Sequence, residues 1–457
     1  MIKIRDGFSC PIYEYFYMFV MVIYMAQMTH ETGRMVGTLS GNPIPFLIPI
    51  VLTIILLMRN PIRFAHSKLG GLVSVMFCWS LAICYKFHDF SSSNLSYYFF
   101  LFYAIFIAFI HIRVFGRNLF PIYEHIMVVF SAISLFLWGI AVVLPGMGSL
   151  FHLFPETRFG NNVLYLFNWM DPAKGQIYGS LIRNAGCSWE PGRFAIMLIP
   201  AIFINLSREG ISFNNNKKII ILLSALATTM STTGYSIAIL LYFIFWFDTF
   251  YVKNILAFIF IALPLSISIY SLDFMGEKIQ DKVNFEGLTH KRMRGINYSA
   301  KEYGDQYLGS LDRFESAYFE WKNFQRDPIL GYGRSAEHSW FRKNVTKNFI
   351  LTGGIVKILS QYGIFVGLLL YVILFFSSIE MSKTCRHQKR FALAIMLILS
   401  SISYPIFSIP VFTAFWLSGL FCYKGKIRRI LMLMILNKIR LQQISKNRML
   451  GKYDGKF

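Results

Sequence analysis

The stretch Leu95–Ile112 reads LSYYFFLFYAIFIAFIHI and contains no Asp, Glu, Lys or Arg. A helix needs about 20 predominantly apolar residues to cross the hydrocarbon layer of a bilayer. The stretch therefore predicts a transmembrane helix.

Comparable apolar runs recur along the chain. Its 457 residues are 55% hydrophobic, and the mean hydropathy is +0.50. A soluble protein of this length would not carry so many apolar runs. We predict an all-α polytopic membrane protein with about twelve transmembrane helices, near 12–28, 43–58, 69–85, 95–112, 122–144, 194–206, 219–232, 235–250, 255–271, 349–379, 391–405 and 406–423.

Lys and Arg are concentrated in alternate short loops between these spans. Such loops lie in the cytoplasm by the positive-inside rule. We predict that both termini are cytoplasmic and that the long loop 146–193 faces the other side. The predicted division is helices one to nine in 1–271, one large periplasmic loop in 272–348, helices ten to twelve in 349–423, and a basic tail in 424–457. The basic residues that orient the chain are Lys3, Arg5, Arg59, Arg63, Lys68, Arg113, Arg117, Arg208, Lys217, Lys218, Lys253, Lys383, Arg386, Lys389 and Arg390.

The formal net charge of +22 lies largely in these loops and in the tail. In the tail, Lys and Arg alternate with Ile, Leu and Met, which predicts an interfacial helix on anionic lipid headgroups. A nucleic acid is the rival partner for so basic a segment. We favour membrane lipids and predict no nucleic-acid partner.

Several motifs of soluble enzymes are missing from the sequence. It has no CxxC, no HExxH, no DxD triplet and no GxxxxGK[ST] phosphate loop. These motifs hold metals or nucleotides through defined ligand spacings. We therefore predict neither a metal nor a cofactor, and no soluble nucleotide-using module.

The first polar patch lies in the shorter external loop and leads into the sixth predicted span. It contains Arg183, Gly186, Glu190-Pro191 and Arg193. An Arg at the membrane surface offers a planar fork of donors that suits phosphate oxygens. The alternative is that Arg183 or Arg193 is an anchor that snorkels to the interface.

The second patch lies in the larger loop and contains Arg313-Phe314, Pro328–Gly333, Arg334 and His338. Pro followed by spaced glycines, Gly331 and Gly333, predicts a tight turn just before a titratable imidazole. A single loop His is more often a surface residue than a catalyst. Loop 272–348 holds 13 Lys and Arg against 11 Asp and Glu, so binding of an anion depends on particular arginines.

Together, these motifs resemble the O-antigen polymerase and O-antigen ligase superfamily. Arg183 with Gly186, Pro191 and Phe194-Ala195 resembles its R-x-x-G…P-x-x-F-A motif, and Thr229–Tyr235 is similar to the small-residue turn of its next helices. Further segments resemble the large periplasmic loop and the helix that follows it: Arg313-Phe314, Pro328–Gly333, His338 and Lys357–Ile364. The resemblance spans about residues 182–367, in order.

The resemblance implies a GT-C-like, metal-independent glycosyltransferase of the bacterial inner membrane. Its donor is an undecaprenyl-pyrophosphate-linked oligosaccharide, and a chain-length regulator is a further implied partner. By resemblance, Arg183 and Arg313 contact the pyrophosphate and His338 is the general base. The remaining predicted substrate contacts are Arg193, Glu190, Arg334, Gly331 and Gly333.

Four alternatives stay open. In the family, the His is commonly followed by Asn and soon by the next helix, whereas Ser339 follows His338 here, so His290 is a substitute base. His30-Glu31 suggests another class of lipid-linked glycosyltransferase. A ligase would transfer the glycan to lipid A core, although we favour a polymerase that joins repeat units. A flippase suits twelve spans, but the spans are nearly free of charges that would line its path.

Overall fold

Helices dominate the computed structural model of this chain. The residues that it describes are 2–4, 8–27, 44–62, 64, 66–144, 161–163, 167–170, 177–178, 181–211, 216–246, 309–310, 313–345, 349–351, 354–385 and 389–421. Within them, the longer helices are α3 Ser67–Phe87, α4 Ser92–Phe115, α5 Leu119–Val143, α6 Pro191–Glu209 and α11 Ile355–Cys385. The shorter helices are α1 Ile12–Gln27, α2 Ile44–Arg59, α7 Lys217–Thr228, α8 Thr232–Trp246, α9 Arg313–Arg326, α10 Trp340–Asn344, α12 Ala392–Ser403 and α13 Pro410–Phe421.

The strands are short and form separate two-stranded pairs. Three pairs are antiparallel: β1 Ile2–Ile4 with β2 Phe8–Cys10, β3 Asn161–Val163 with β4 Asn168–Met170, and β5 Ile177–Tyr178 with β6 Leu181–Ile182. The fourth pair is parallel and joins β7 Gly309–Ser310 to β8 Phe349–Ile350.

Three helical stretches in the described residues are long and apolar enough to cross a membrane. They are Ser67–Phe87, Ser92–Val143 and Ile355–Lys383, and the second contains both α4 and α5. The prediction of a helical protein with membrane-crossing helices is confirmed at this level. The count of twelve spans and the external placement of the loops stay predictions.

Several predicted boundaries shift. The predicted span 219–232 is shorter, because α7 ends at Thr228 and α8 begins at Thr232. In the predicted span 349–379 the helix begins only at Ile355, because β8 occupies Phe349–Ile350. The predicted span 255–271, the loop residues 272–308 and the tail 424–457 lie outside the described residues.

The prediction that the spans are nearly free of buried charge is wrong. Glu14 in α1, Glu124 in α5 and Lys357 in α11 are all buried. Buried charges in a structure are normally compensated by partners. Sequence alone did not reveal the cations that pair with Glu124, because Arg208 and Lys218 come from other helices.

Helix α11 is broken near its start. Gly363 has φ 69° and ψ 179°, so helical residues lie on both sides of a non-helical position. A glycine tolerates positive φ because it has no Cβ. The break leaves backbone groups without their usual partners within the helix, and a neighbouring loop must satisfy them.

The described helices pack around one large apolar core. Helix α13 packs against α4 and α11, while α6 packs against α5, α7, α8 and α12. Trp416 of α13 is fully buried, and its Nε1 donates to the carbonyl of Leu370 in α11 at 2.8 Å. This packing fixes α11 against α13, and therefore fixes the position of the break at Gly363.

Candidate functional site

The loop Pro328–Gly333 fills the break in α11 with backbone hydrogen bonds. The amide of Ile364 donates to the carbonyl of Pro328 at 2.8 Å. In return, the Tyr332 amide donates to the Ser360 carbonyl at 2.9 Å, and the Gly333 amide donates to the Gln361 carbonyl at 3.0 Å. The motif segments 328–333 and 357–364 therefore form one structural unit.

The glycines of this unit allow two backbones to approach closely. Gly331 has φ 75°, and a Cβ there would collide with the carbonyl of Gln361. A Cβ at Gly363 would collide with the carbonyl of Ile329, and one at Gly333 would crowd Ile83 of α3. The structure thus gives Gly331 and Gly333 a packing role, which is distinct from the substrate contact predicted for them.

Helix α3 holds the same loop from the other side. Trp79 Nε1 donates to the carbonyl of Leu330 at 2.9 Å. Lys86 forms an ion pair with Asp327 at 2.5 Å and lies 3.3 Å from the carbonyl of Gly331. These contacts bring the end of α3 next to the residues that follow the loop.

His338 lies at this end of α3 and pairs with Asp89. The His338 Nε2 atom is 2.9 Å from Asp89 Oδ2. The ring of Phe87 stacks on the imidazole with a centroid distance of 4.3 Å and an interplanar angle of 12°. An ionised carboxylate only accepts hydrogen bonds, so the pair assigns the proton to Nε2 of the neutral imidazole.

In that neutral form the other imidazole nitrogen, Nδ1, keeps its lone pair. Among the described residues, His338 Nδ1 is buried and has no hydrogen-bond partner. An imidazole that is oriented through one nitrogen can accept a proton at the other. His338 thus has the arrangement of a general base, with Asp89 as the group that orients it.

Asp89 is itself held in the short connection between α3 and α4. His88 closes α3 in the left-handed region with φ 50°. Hydrogen bonding by the Ser91 side chain lowers the pKa of Asp89. The Ser91 backbone amide, which lies 3.0 Å from Asp89 Oδ1, and His338 also lower this pKa. Asp89 was not among the predicted site residues. The available signal was an acidic residue in a short loop predicted to face the same side as His338.

A buried carboxylate, Glu320, links α9 to α11 beside this pair. Glu320 accepts from Ser360 Oγ at 2.6 Å, from Asn323 Nδ2 at 3.1 Å and from the Tyr332 hydroxyl at 3.1 Å. Burial raises the pKa of Glu320, and the nearby Lys357 ammonium opposes this effect. Each carboxylate oxygen accepts at least one hydrogen bond, which is typical of a buried carboxylate that joins two elements.

Arg334 also packs inside the protein. It is buried, and its guanidinium donates to the Tyr362 hydroxyl at 3.2 Å. This bond joins the residue after Gly333 to the residue before Gly363. The substrate contact predicted for Arg334 remains a prediction.

In the first patch, the structure fixes Arg183 on the end of a helix. Its Nε donates to the carbonyl of Thr229 at 3.0 Å, and its NH2 group lies 3.4 Å from the carbonyl of Met230. These residues follow the last turn of α7, where carbonyls carry partial negative charge. Arg183 is half-buried, so it combines this anchoring with partial access to solvent or ligand.

Arg193 lies deeper, in the first turn of α6. Its guanidinium is buried, donates to the carbonyl of Met25 at 2.6 Å and lies 5.9 Å from the rings of both Trp189 and Tyr404. Glu190 precedes the helix as its N-cap residue, and its side chain makes no capping bond. Of the two arginines in this patch, Arg183 is therefore the more accessible.

Arg313 and three alternative site residues are not described at the level of side chains. Helix α9 begins at Arg313, but nothing is described of that side chain. The substitute base His290 and the pair His30-Glu31 lie outside the described residues.

A separate charged cluster lies at the opposite end of the helices. Glu124 of α5 is buried and pairs with Arg208 at 2.6 Å, while Lys218 lies 3.7 Å from its other oxygen. Asn205 donates to Glu124 at 2.8 Å and exchanges hydrogen bonds with Asn216. This cluster joins α5, α6 and α7.

The described residues contain no candidate site for a metal ion. No group of three or more His, Cys, Asp or Glu side chains is close enough there to hold an ion. No protein-family model matches this chain, and no curated protein matches it in sequence. Function is therefore inferred from the geometry of the site and from the motif resemblance.

Proposed function

We propose that this chain is a membrane glycosyltransferase that polymerises undecaprenyl-pyrophosphate-linked oligosaccharide repeat units. The observation that carries the proposal is the His338–Asp89 pair, which lies at the end of α3 just after the loop that fills the break in α11. The proposed setting is the periplasmic face of a bacterial inner membrane protein with twelve spans and cytoplasmic termini. Membrane lipids surround it, and a chain-length regulator is a proposed partner.

The proposed reaction needs one proton acceptor and a stabilised leaving group. The acceptor sugar hydroxyl gives its proton to His338 Nδ1 as its oxygen bonds to the anomeric carbon of the donor. The bond from that carbon to the pyrophosphate oxygen breaks, and the electron pair leaves with the pyrophosphate. Asp89 holds the imidazole orientation and stabilises the imidazolium that forms.

Negative charge that develops on the pyrophosphate requires fixed cations nearby. Arg183 and Arg313 take this role in the proposal. Arg183 suits it because two protein carbonyls anchor its guanidinium and it is only half-buried. Arg193 is an auxiliary cation, with Glu190 beside it, because its side chain is buried and bonded to a backbone carbonyl.

A ligase that transfers the glycan to lipid A core uses the same donor and leaving group. The His338–Asp89 pair serves both reactions equally, because both deprotonate an acceptor hydroxyl. The acceptor alone separates them, and we retain the polymerase as the proposal.

Transport of the lipid-linked repeat is the second candidate, from a different class. Two observations favour it: the discontinuous helix α11 and the buried charges within helices. Broken helices and intramembrane charges are typical of substrate paths in transporters. However, the break in α11 is filled by loop backbone, and the carboxylates of Glu124 and Glu320 are already paired.

The deciding experiment supplies the purified protein with a lipid-linked repeat unit and no sugar nucleotide. Products are resolved by chain length on a gel, and the same protein in liposomes is assayed for movement of the lipid between leaflets. We expect a ladder of repeats, lost in Arg183→Ala and Arg313→Ala. Leaflet exchange without a ladder contradicts the proposal and favours the transporter.

A further inference from the structure

Helix α9 buries several polar residues on one face and exposes two large aromatic residues on the other. Trp321 is 44% exposed and Tyr318 is 48% exposed. The opposite face is buried and mostly polar: it consists of Glu315, Ser316, Glu320 and Asn323 together with Phe319. A helix on a water-facing loop shows the reverse arrangement.

Hydrogen bonds fix this rotation of the helix. Glu320 is bonded to Ser360 of α11 and to Tyr332 of the filling loop. Asn323 donates to Glu320, and its Oδ1 accepts from the amide of Phe341 at 2.9 Å. Turning the helix to bury Trp321 would leave a carboxylate and an amide without these partners, which is costly for buried groups.

The exposed aromatic face is accompanied by cations. Lys322 Nζ lies 5.7 Å from the centre of the Tyr318 ring. The guanidinium of Arg326 lies 5.8 Å from the centre of the Trp340 ring. Trp and Tyr combined with Lys and Arg are enriched where proteins meet the headgroup layer of a bilayer.

Helix α9 packs against α11, which has an apolar exposed surface. Ile329 is 61% exposed, and its carbonyl meets Gly363 at the break in the helix. Beyond the break, Phe365 is 71% exposed in a segment apolar enough to cross a membrane. An apolar surface of this kind on a membrane-crossing helix faces lipid. Helix α9 is therefore packed on a helix whose exposed apolar residues suit a lipid environment.

We propose that α9 lies in the headgroup layer of the bilayer. Tyr318, Trp321 and Ile329 contact the lipid interface, and Lys322 and Arg326 contact lipid phosphates. The partner is the phospholipid surface itself. This inference is independent of the proposed function, although it would place the His338–Asp89 pair close to the membrane surface.

The test uses the full chain in phospholipid nanodiscs, labelled with 5-fluorotryptophan and observed by fluorine NMR. Trp321→Phe removes one signal and so assigns it, and Trp416→Phe assigns a control that is fully buried in α13. A nitroxide attached to the lipid near its headgroup and a water-soluble gadolinium chelate are then added in separate samples.

We expect the lipid nitroxide to broaden the Trp321 signal to loss and to leave the Trp416 signal visible, while the chelate broadens neither signal to loss. Broadening by the chelate alone would place the face in water and overturn the proposal. Protection from both agents would show that protein, such as a second copy of this chain, covers the face, and would also overturn it. Because the readout is spectroscopic, an inactive protein with a broadened Trp321 signal would refute only the proposed function.

Discussion

The Glu124 cluster and the His338–Asp89 pair are both ionic arrangements between helices, but they differ in how completely they are satisfied. Glu124 is buried, and both of its oxygens have partners among Arg208, Lys218 and Asn205. His338 is bonded through Nε2 only, and its Nδ1 has no hydrogen-bond partner among the described residues.

This difference separates a structural role from a chemical one. Both oxygens of the Glu124 carboxylate are engaged by cations or an amide, and removing that carboxylate leaves the cations around it without compensation. An imidazole with one oriented and one available nitrogen can still accept a proton. We therefore expect the Glu124 cluster to control stability and the His338–Asp89 pair to control turnover.

The largest expected effect is on stability. Glu124→Ala should lower the free energy of unfolding by about 3 kcal/mol, because Arg208 and Lys218 lose their buried partner. Unfolding in detergent, followed by denaturant and by heat, measures the change. The matched control is Glu209→Ala, which removes an exposed carboxylate at the same end of α6 and should change little. Equal losses of unfolding free energy in the two variants would contradict the structural role of the Glu124 cluster.

The next effect is on catalysis. If the proposed function holds, His338→Ala should reduce chain polymerisation about 100-fold or more, because the proposed general base is lost. Its melting temperature should stay close to that of the wild type. His88→Asn is the control, since His88 lies beside the pair and Asn tolerates the left-handed conformation. Unchanged polymerisation in His338→Ala would move attention to His290.

A smaller catalytic effect is expected at the orienting residue. Asp89→Asn should lower kcat about tenfold, the loss expected for one charge-assisted hydrogen bond, and should leave KM for the lipid-linked donor unchanged. Asp89→Glu should recover part of the rate. Steady-state kinetics of both variants separate this positioning role from a structural one, which would lower the amount of folded enzyme and leave the rate per folded molecule intact.

The smallest expected effect is a change of stability with pH, in which Glu320 and Asp89 contribute with opposite signs. The raised pKa of Glu320 means that its ionised form costs stability at neutral pH, and the cost is relieved as pH falls toward its ordinary value of 4.5. Asp89 acts in the opposite sense. Its lowered pKa gives a contribution that is complete above its ordinary value of 3.8 and is lost as pH falls through the folded-state value.

Between neutral pH and 4.5, only the Glu320 contribution of these two should change. The melting temperature of the wild type should therefore rise on acidification relative to Glu320→Gln, which does not titrate. Glu337→Gln, at an exposed carboxylate of the same loop, is the control and should follow the wild type. A constant difference between wild type and Glu320→Gln across this window would contradict the raised pKa.

The sequence predicted the helical membrane class because apolar runs of this length are rare in soluble proteins. It also singled out His338, the loop Pro328–Gly333 and the helix containing Gly363. It did not predict that loop and helix exchange backbone hydrogen bonds, because backbone groups carry no sequence signal. The burial of Arg193 and Arg334 was not foreseen either, since an Arg in a sequence looks the same whether it contacts a ligand or packs inside the protein.

By itself, the sequence determined which segments are apolar, where positive charge lies and which loops carry titratable groups, because these are local properties. Tertiary structure alone decided which of those groups have partners. Asp89 and His338 are 249 positions apart and meet only because α3 and the filling loop pack against the same break in α11. The same packing turns the polar face of α9 inward, since Glu320 finds its donors on α11 and on the loop.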